Sequence, residues 1–241
     1  MSNSLTPKLL AEFIGTFALV FIGAGAASIV DGSAGGGITA VAFAHGLTLM
    51  IFICAYGSVS GGHMNPAVTV GVLAAGAITA AEAVGYIVSQ IAGGVAAALL
   101  LRIVLGGVAT GLGTPELAHG LVLGGTPVTI TPAIGFVVEA VLAFFLVTVV
   151  LSTAVAGRAA HLAPVAIGLT LVLNILMGGA LTGAAFNPAR ALGPMIVTGN
   201  LGDAWLYGLA PIVGAIIAAV VHMGLSRLAD ERPAVAAAPA E

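Results

Sequence analysis

Hydrophobic residues fill six long stretches of this chain, with few polar positions inside them. The stretches cover about residues 8–30, 39–60, 81–105, 131–156, 161–180 and 204–228. Each is long enough to cross the roughly 30 Å hydrocarbon core of a bilayer as an α-helix. The stretches are continuously apolar and do not alternate with polar residues, so a closed β-barrel is not expected. The pattern therefore predicts six transmembrane helices.

Two shorter apolar segments, at about residues 66–76 and 188–198, each begin with an Asn-Pro-Ala triplet. Asn is a favoured N-cap and Pro suits the first helical position, so each triplet predicts a helix start. Both segments are too short to cross a bilayer alone. We therefore expect two re-entrant half-helices.

The composition excludes several classes of protein. Of 241 residues, 60% are hydrophobic and only six Lys or Arg and nine Asp or Glu are charged, which is 6%. Soluble domains carry roughly 25% charged residues. The net charge of -3 offers no basic surface for nucleic acid, and the single cysteine excludes an intramolecular disulfide framework. No metal or cofactor is expected, and the absence of HExxH and GxSxG motifs argues against an intramembrane enzyme.

The few basic residues predict an orientation. In a six-span chain, the side that holds both termini contains Lys8, Arg158, Arg227 and Arg232. Arg102 falls near the other side, so the positive-inside rule places both termini in the cytoplasm, with the protein in the cell membrane. The Ala- and Pro-rich tail, residues 229–241, is predicted to be disordered.

An internal repeat relates the two halves of the chain. Residues 44–67 (AHGLTLMIFICAYGSVSGGHMNPA) align without gaps with residues 166–189 (AIGLTLVLNILMGGALTGAAFNPA) at an offset of 122. Each half therefore holds three spans and one half-helix. The halves cover about residues 8–105 and 131–228 of a single domain, residues 1–228. An odd number of spans inverts the second half relative to the first. Inverted repeats place a site near the bilayer midplane, where the halves meet.

The two half-helices are expected to meet there, N-terminus to N-terminus. Each N-terminus carries about half a positive charge, and the side-chain NH2 groups of Asn65 and Asn187 are left to donate into the space between. Such a site repels cations and holds a solute by its acceptor oxygen, which disfavours a continuous proton wire. An active transporter would need ion-coupling groups, for which only Glu12 and Glu139 qualify.

The segments SGGHMNPAVT (residues 60–69) and FNPARALGP (residues 186–194) resemble the two signature loops of the aquaporin, or major intrinsic protein, family. The resemblance covers about residues 8–228. It implies an all-α, aquaporin-like fold and a homotetramer with one pore per subunit. The implied partners are the lipid bilayer, water and small neutral solutes. The motif residues are Asn65, Pro66, Ala67, Asn187, Pro188 and Ala189.

In this family, four positions line the narrowest part of the pore on the extracellular side. Counting from the motifs, they fall on His45, Ile175, Ala184 and Arg190. Arg190 is expected to bind solute oxygens and repel cations. The set resembles that of plant tonoplast-type members, which implies a passive water channel with ammonia as a candidate second solute. A glycerol or urea facilitator is the alternative, although glycerol facilitators tend to have Trp in place of His45 and Asp in place of Ala191.

Four further polar residues have two interpretations each. Glu12 and Glu139 are expected to accept backbone N–H groups of the re-entrant loops, because unmatched donors are costly inside a membrane; a proton relay is the alternative. His63 is expected to brace the first loop, with a direct pore contact as the alternative. His119, in the loop 106–130, is either a fifth ring position that responds to external pH or a solvated loop histidine.

Overall fold

The computed structural model describes residues 4–30 and 37–230 of the chain. Among these, six helices are long and apolar enough to cross a membrane: Leu5–Val30, Gly37–Ser60, Ala80–Val104, Pro132–Val155, Ala160–Thr182 and Ala204–Leu228. Two shorter helices follow the second and the fifth of them. The predicted architecture of six spans and two half-helices is therefore confirmed.

We number the α-helices in chain order. They are α1 (Leu5–Ala18), α2 (Gly25–Val30), α3 (Gly37–Ser60), α4 (Pro66–Ala74), α5 (Ala80–Val104), α6 (Pro132–Val150), α7 (Ala163–Thr182), α8 (Pro188–Thr198) and α9 (Ala204–Asp230). A π-helical turn, Leu19–Ala24, joins α1 to α2, and a second, Leu151–Val155, extends α6. Helix α9 continues to Asp230, two residues into the segment 229–241 that was predicted as a tail, and residues 231–241 lie outside the described residues.

Equivalent helices of the two halves pack in equivalent ways. Helix α1 packs along α5, and α6 packs along α9. Glycines permit this approach: a Cβ on Gly93 would overlap the carbonyl of Phe13, and a Cβ on Gly214 would overlap that of Ala140. The half-helix α4 contacts α9, and α8 contacts α5, so the last span of each half supports the half-helix of the other.

The connection between the halves contains a β-hairpin that the sequence interpretation missed. Strand β1 (Leu121–Leu123) pairs antiparallel with β2 (Thr126–Val128). The two residues between them, Gly124 and Gly125, have φ values of 56° and 83°. Two successive positive φ values are what a tight hairpin turn requires, and Gly-Gly supplies them. Two short strands thus accompany an otherwise helical fold.

Candidate functional site

Asn65 and Asn187 begin the two half-helices. In each, the side-chain Oδ1 accepts a hydrogen bond from the N–H of the alanine in its own triplet, at 2.8 Å in the first and 3.1 Å in the second. Asn187 Oδ1 also accepts from Arg190 N–H at 3.2 Å. The proline of each triplet occupies the first turn, where a helix needs no N–H donor. The triplets therefore fold as capped helix starts.

The two asparagine amides also tie the loops to each other. Asn65 Nδ2 donates to the Phe186 carbonyl at 3.0 Å, and Asn187 Nδ2 donates to the Met64 carbonyl at 2.9 Å. Phe186 and Met64 each precede the opposite asparagine and have positive φ values of 29° and 50°, which non-glycine residues rarely adopt. The sequence interpretation left both NH2 groups to face the space between the helices, whereas one N–H of each bonds to the protein.

Glu12 braces the first loop through hydrogen bonds. Its Oε1 accepts from the Ser60 hydroxyl at 2.6 Å and from His63 N–H at 2.9 Å. Its Oε2 accepts from Met64 N–H and from the Gln90 amide, the latter at 2.7 Å. The carboxyl group is fully buried, and four donors replace the water that it lost.

Glu139 braces the second loop in the same way. It accepts from the Thr182 hydroxyl at 2.6 Å, from Ala185 N–H at 3.0 Å and from Phe186 N–H. Each of these three donors lies 122 residues after a donor to Glu12. In the described structure, neither glutamate is among the residues that line the two cavities presented below. These contacts fit loop bracing better than a proton relay.

The contacts of His63 fit both of its interpretations. Its Nδ1 lies 3.1 Å from the Thr69 hydroxyl on α4, and its ring packs edge-on against Tyr86 with the ring centroids 5.2 Å apart. His63 also lines the narrower of the two cavities. It braces the loop and contacts the cavity at once.

One cavity lies at Arg190 and a second at the asparagine pair. The wide vestibule, about 720 Å³, has His45, Ile175 and Arg190 in its wall. The narrow segment, about 20 Å³, is lined by both asparagines and mainly apolar side chains. One water molecule needs roughly 10–15 Å³ of such space. The narrow segment therefore has space for about one or two water molecules.

Arg190 is buried in the wall of the vestibule. Its Nε donates to His45 Nε2 at 3.3 Å, and its Nη1 donates to the Gly113 carbonyl at 3.0 Å. Because a guanidinium group only donates, His45 Nε2 is the acceptor, and His45 Nδ1, 2.9 Å from the Val41 carbonyl, carries the proton. These bonds select one neutral tautomer of His45 and hold the arginine side chain from two directions.

Two expected ring positions are not among the residues that line these two cavities. Ala184 is buried with a φ of 44° and does not line either cavity, whereas its neighbour Gly183 lines the vestibule. His119 is exposed and also absent from the lining of both cavities. The loop reaches the vestibule instead through residues before it, among them Gly113 and Glu116. The exposure of His119 fits the solvated-loop alternative.

Several polar residues that support the loops were missed in the sequence. The Tyr86 hydroxyl donates to the Ser60 carbonyl at 2.8 Å, and the Tyr207 hydroxyl donates to the Thr182 carbonyl at 2.7 Å. The tyrosines are 121 residues apart, close to the repeat offset, so an alignment extended into α5 and α9 would have found them. Gln90, which bonds to Glu12, has no polar equivalent in the second half and left no such signal.

Comparison with known proteins places this geometry in a family. The model of the family described as "Major intrinsic protein" matches residues 1–222. The chain is 40% identical to Aquaporin TIP1-2 of Zea mays over 222 residues, covering 88% of this chain and 83% of the relative. It is 37% identical to Aquaporin Z of Rhodopseudomonas palustris over 229 residues, covering 92% and 94%.

A solved structure shares the fold. The X-ray structure of the aquaglyceroporin from Plasmodium falciparum superposes with a TM-score of 0.80 at 21% identity, covering 95% of this chain and 100% of that one. At this identity the likeness concerns the fold alone. The family model and the relatives decide the rest: the chain belongs to the major intrinsic protein family and is an integral membrane protein that forms a passive channel for water or small solutes, not an enzyme.

Proposed function

We propose that this chain conducts water in single file past Arg190 and the asparagine pair, with ammonia as a second solute, and that it excludes protons and other ions. One observation carries the proposal: Asn65 and Asn187 cap two half-helices and bond to each other's loops, so that two helix N-termini face one narrow cavity. The names of the matched relatives, aquaporins, support water as the solute.

The asparagine pair supplies the proton barrier. Each amide has two N–H groups, of which one bonds to the opposite loop, and the other can donate to a water oxygen. A water molecule that accepts from both asparagines must direct both of its own hydrogens away from them, toward its two neighbours. Both of its lone pairs are then occupied, so neither neighbour can donate to it, which interrupts the chain of donors along which a proton would travel. The two positive helix ends, each about half a charge, repel cations at the same place.

The ring around Arg190 selects among solutes. Two of its five N–H donors bond to His45 and Gly113, and the others can bind the oxygen of water or the nitrogen lone pair of ammonia. The Ile175 side chain in the same cavity wall is apolar, so a small solute with one acceptor atom needs no further hydrogen-bond partner there. The buried guanidinium charge opposes the entry of cations, including ammonium.

The remaining features of the proposal follow the family resemblance. We place one channel domain over residues 1–228, four identical subunits in the assembly and one pore in each subunit. The channel lies in the plasma membrane with both termini in the cytoplasm. The wide vestibule opens to the outside of the cell. The positions of the basic residues support this orientation.

The test is permeability in reconstituted vesicles. The full chain is placed in proteoliposomes, and water, ammonia, urea and glycerol fluxes are measured in parallel by stopped-flow methods, with a pH-sensitive dye to follow protons. We expect fast water flux, ammonia flux above that of empty vesicles, and no proton leak. The variant Ile175→Trp should obstruct the vestibule and lower every flux, whereas its control Val137→Trp, on an exposed apolar face of α6, should not.

Each outcome decides one part of the proposal. Water flux equal to that of empty vesicles overturns it as a whole. Ammonia flux at the background level removes ammonia as a solute. Glycerol or urea flux that rises more than water flux favours the facilitator alternative instead.

A further inference from the structure

The two hydrogen-bond partners that the Arg190 side chain has among the described residues rest on the same turn of the first span. His45 and Gly113 accept the two side-chain hydrogen bonds of Arg190. Gly23 and Ala24, which are consecutive residues, lie against these two partners. They end the π-helical turn Leu19–Ala24, the only π-helical stretch that the described part of the first span contains. This turn therefore lies directly behind the selectivity ring.

Gly23 leaves the space that the imidazole ring of His45 occupies. A Cβ placed on Gly23 would lie 2.6 Å from both Cγ and Nε2 of His45, closer than the 3.0 Å below which real Cβ atoms essentially never approach other atoms. Both residues are buried. Any side chain at position 23 therefore has to displace the ring whose Nε2 accepts from Arg190.

Ala24 supports the second partner. A Cβ on Gly113 would lie 2.8 Å from both Cα and Cβ of Ala24, so the loop rests directly on the helix at this point. The preceding residue, Leu112, is fully buried in a hydrophobic cluster with Ala24 and Val20, and its φ of 51° turns the chain there. The Leu112 side chain thus anchors the loop and presents the Gly113 carbonyl to Arg190.

The π-helical turn affects which residues at the end of the first span face these two partners. One inserted residue shifts the phase of a helix by about 100°, so the residues that follow it face a different direction from those of an unbroken α-helix. The second half also has a π-helical turn in its first span, Leu151–Val155, but not the glycine: Val150 occupies the position equivalent to Gly23, counted with the offset of Glu12 to Glu139. The slot for a ring therefore exists in one half only.

We propose that the π-helical turn Leu19–Ala24 positions the selectivity ring and that Gly23, through His45, is a positioning residue for solute specificity. This inference rests on the proposed function, because it concerns the same pore. In Gly23→Ala, the His45 ring must move away from the π-helical turn, which changes its bond to Arg190 and the width of the selectivity ring. We expect the ratio of ammonia to water permeability to change about three- to tenfold, since overpacking of a few atoms alters barriers by this order.

The experiment is a double-mutant cycle. The variants Gly23→Ala, His45→Ala and the double variant are reconstituted, and both the permeability ratio and the thermal unfolding midpoint in detergent are measured. His45→Ala removes the ring that a new methyl group would strike, so Gly23→Ala should have little further effect in that background. Gly208→Ala is the matched control, because a Cβ at that helical position meets no atom within 4 Å.

The outcomes separate this inference from the proposed function. Strong coupling between positions 23 and 45, in both the permeability ratio and the unfolding midpoint, supports it. An unchanged ratio in Gly23→Ala, or the same change in both backgrounds, overturns it, because the glycine would then act independently of His45. If the unmodified chain conducts no water, the proposed function fails, whereas the coupling in the unfolding midpoint still decides whether Gly23 holds His45.

Discussion

The two re-entrant loops share one scaffold. In each half, a buried glutamate accepts from a hydroxyl and from two backbone N–H groups, and a tyrosine hydroxyl bonds to the carbonyl of the hydroxyl-bearing residue. The matched residues are Glu12, Ser60 and Tyr86 in the first half and Glu139, Thr182 and Tyr207 in the second. The repeat therefore builds both half-helices by the same contacts.

The loops differ in the polar residues around that scaffold. Next to the first loop lie His63, Thr69 and Gln90, linked by hydrogen bonds. The equivalent positions of the second half are Ala185, Ala191 and Pro211. Conversely, Arg190 has Val68 as its counterpart. Symmetry thus forms the frame of the pore, and the departures from symmetry give its two ends different chemistry.

The first prediction compares the two glutamates and has the largest expected effect. Glu139→Gln turns an amide NH2 toward backbone N–H donors, which leaves a buried donor unmatched and costs about 3 kcal/mol. Glu12→Gln should cost about half as much, roughly 1.5 kcal/mol. The reason is Gln90: its Oε1 is buried without a hydrogen-bond partner among the described residues, so its amide can turn and accept from the new NH2. Thermal and denaturant unfolding in detergent measure both variants.

A third variant isolates the role of the neighbouring amide. In Gln90→Leu, the advantage of position 12 should disappear, and Glu12→Gln should then destabilise as strongly as Glu139→Gln. Equal losses in the two single variants would contradict the explanation, and a larger loss for Glu12→Gln would reverse it.

Much of the fold could be predicted from the sequence because the two halves of the chain repeat the same pattern. The six apolar runs have the length that a bilayer requires, and the Asn-Pro-Ala triplets carry their own cap chemistry, so their helices begin where predicted. The glutamates stand at similar places in each half, which pointed to a shared contact. A repeated pattern gives two chances to see each signal.

The contacts that occur in only one half of the chain could not be predicted from the sequence. The bond from Arg190 to Gly113 involves a backbone carbonyl of a loop without a repeat partner, and any residue at position 113 carries such a carbonyl. The slot at Gly23 depends on a π-helical turn, which no periodicity in the apolar run announces. Ala184, expected at the narrowest part of the pore, has a positive φ that the sequence does not announce, and its neighbour Gly183 lines the vestibule.

The second prediction makes the two halves alike at the position of the arginine. Arg190→Val introduces the residue of the first half and removes the buried charge and both of its bonds. We expect urea and glycerol fluxes to rise about tenfold, the effect of ~1.4 kcal/mol in the barrier, while water flux changes little. Stopped-flow measurements of all three solutes on the same vesicles provide the comparison.

Arg190→Lys is the control for charge. A lysine retains the positive charge, but its compact ammonium cannot reproduce the planar fork that reaches His45 and Gly113. Solute selectivity should therefore relax while cations stay excluded, as judged by the decay of a potassium diffusion potential. Unchanged selectivity in the valine variant would mean that the ring lies at another place in the pore.

The third prediction concerns the tyrosines and has the smallest effect. Tyr86→Phe and Tyr207→Phe each remove one hydroxyl that donates to a buried carbonyl, at 2.8 Å and 2.7 Å. Because the two bonds are equivalent, each variant should lose about 1 kcal/mol of unfolding free energy, and the double variant the sum. Permeability should remain unchanged, since the half-helices keep their glutamate braces. Unequal losses would show that the two halves of the scaffold have the same geometry but different energetics. His63 would then be the first residue to substitute, because its ring packs against Tyr86 and not against Tyr207.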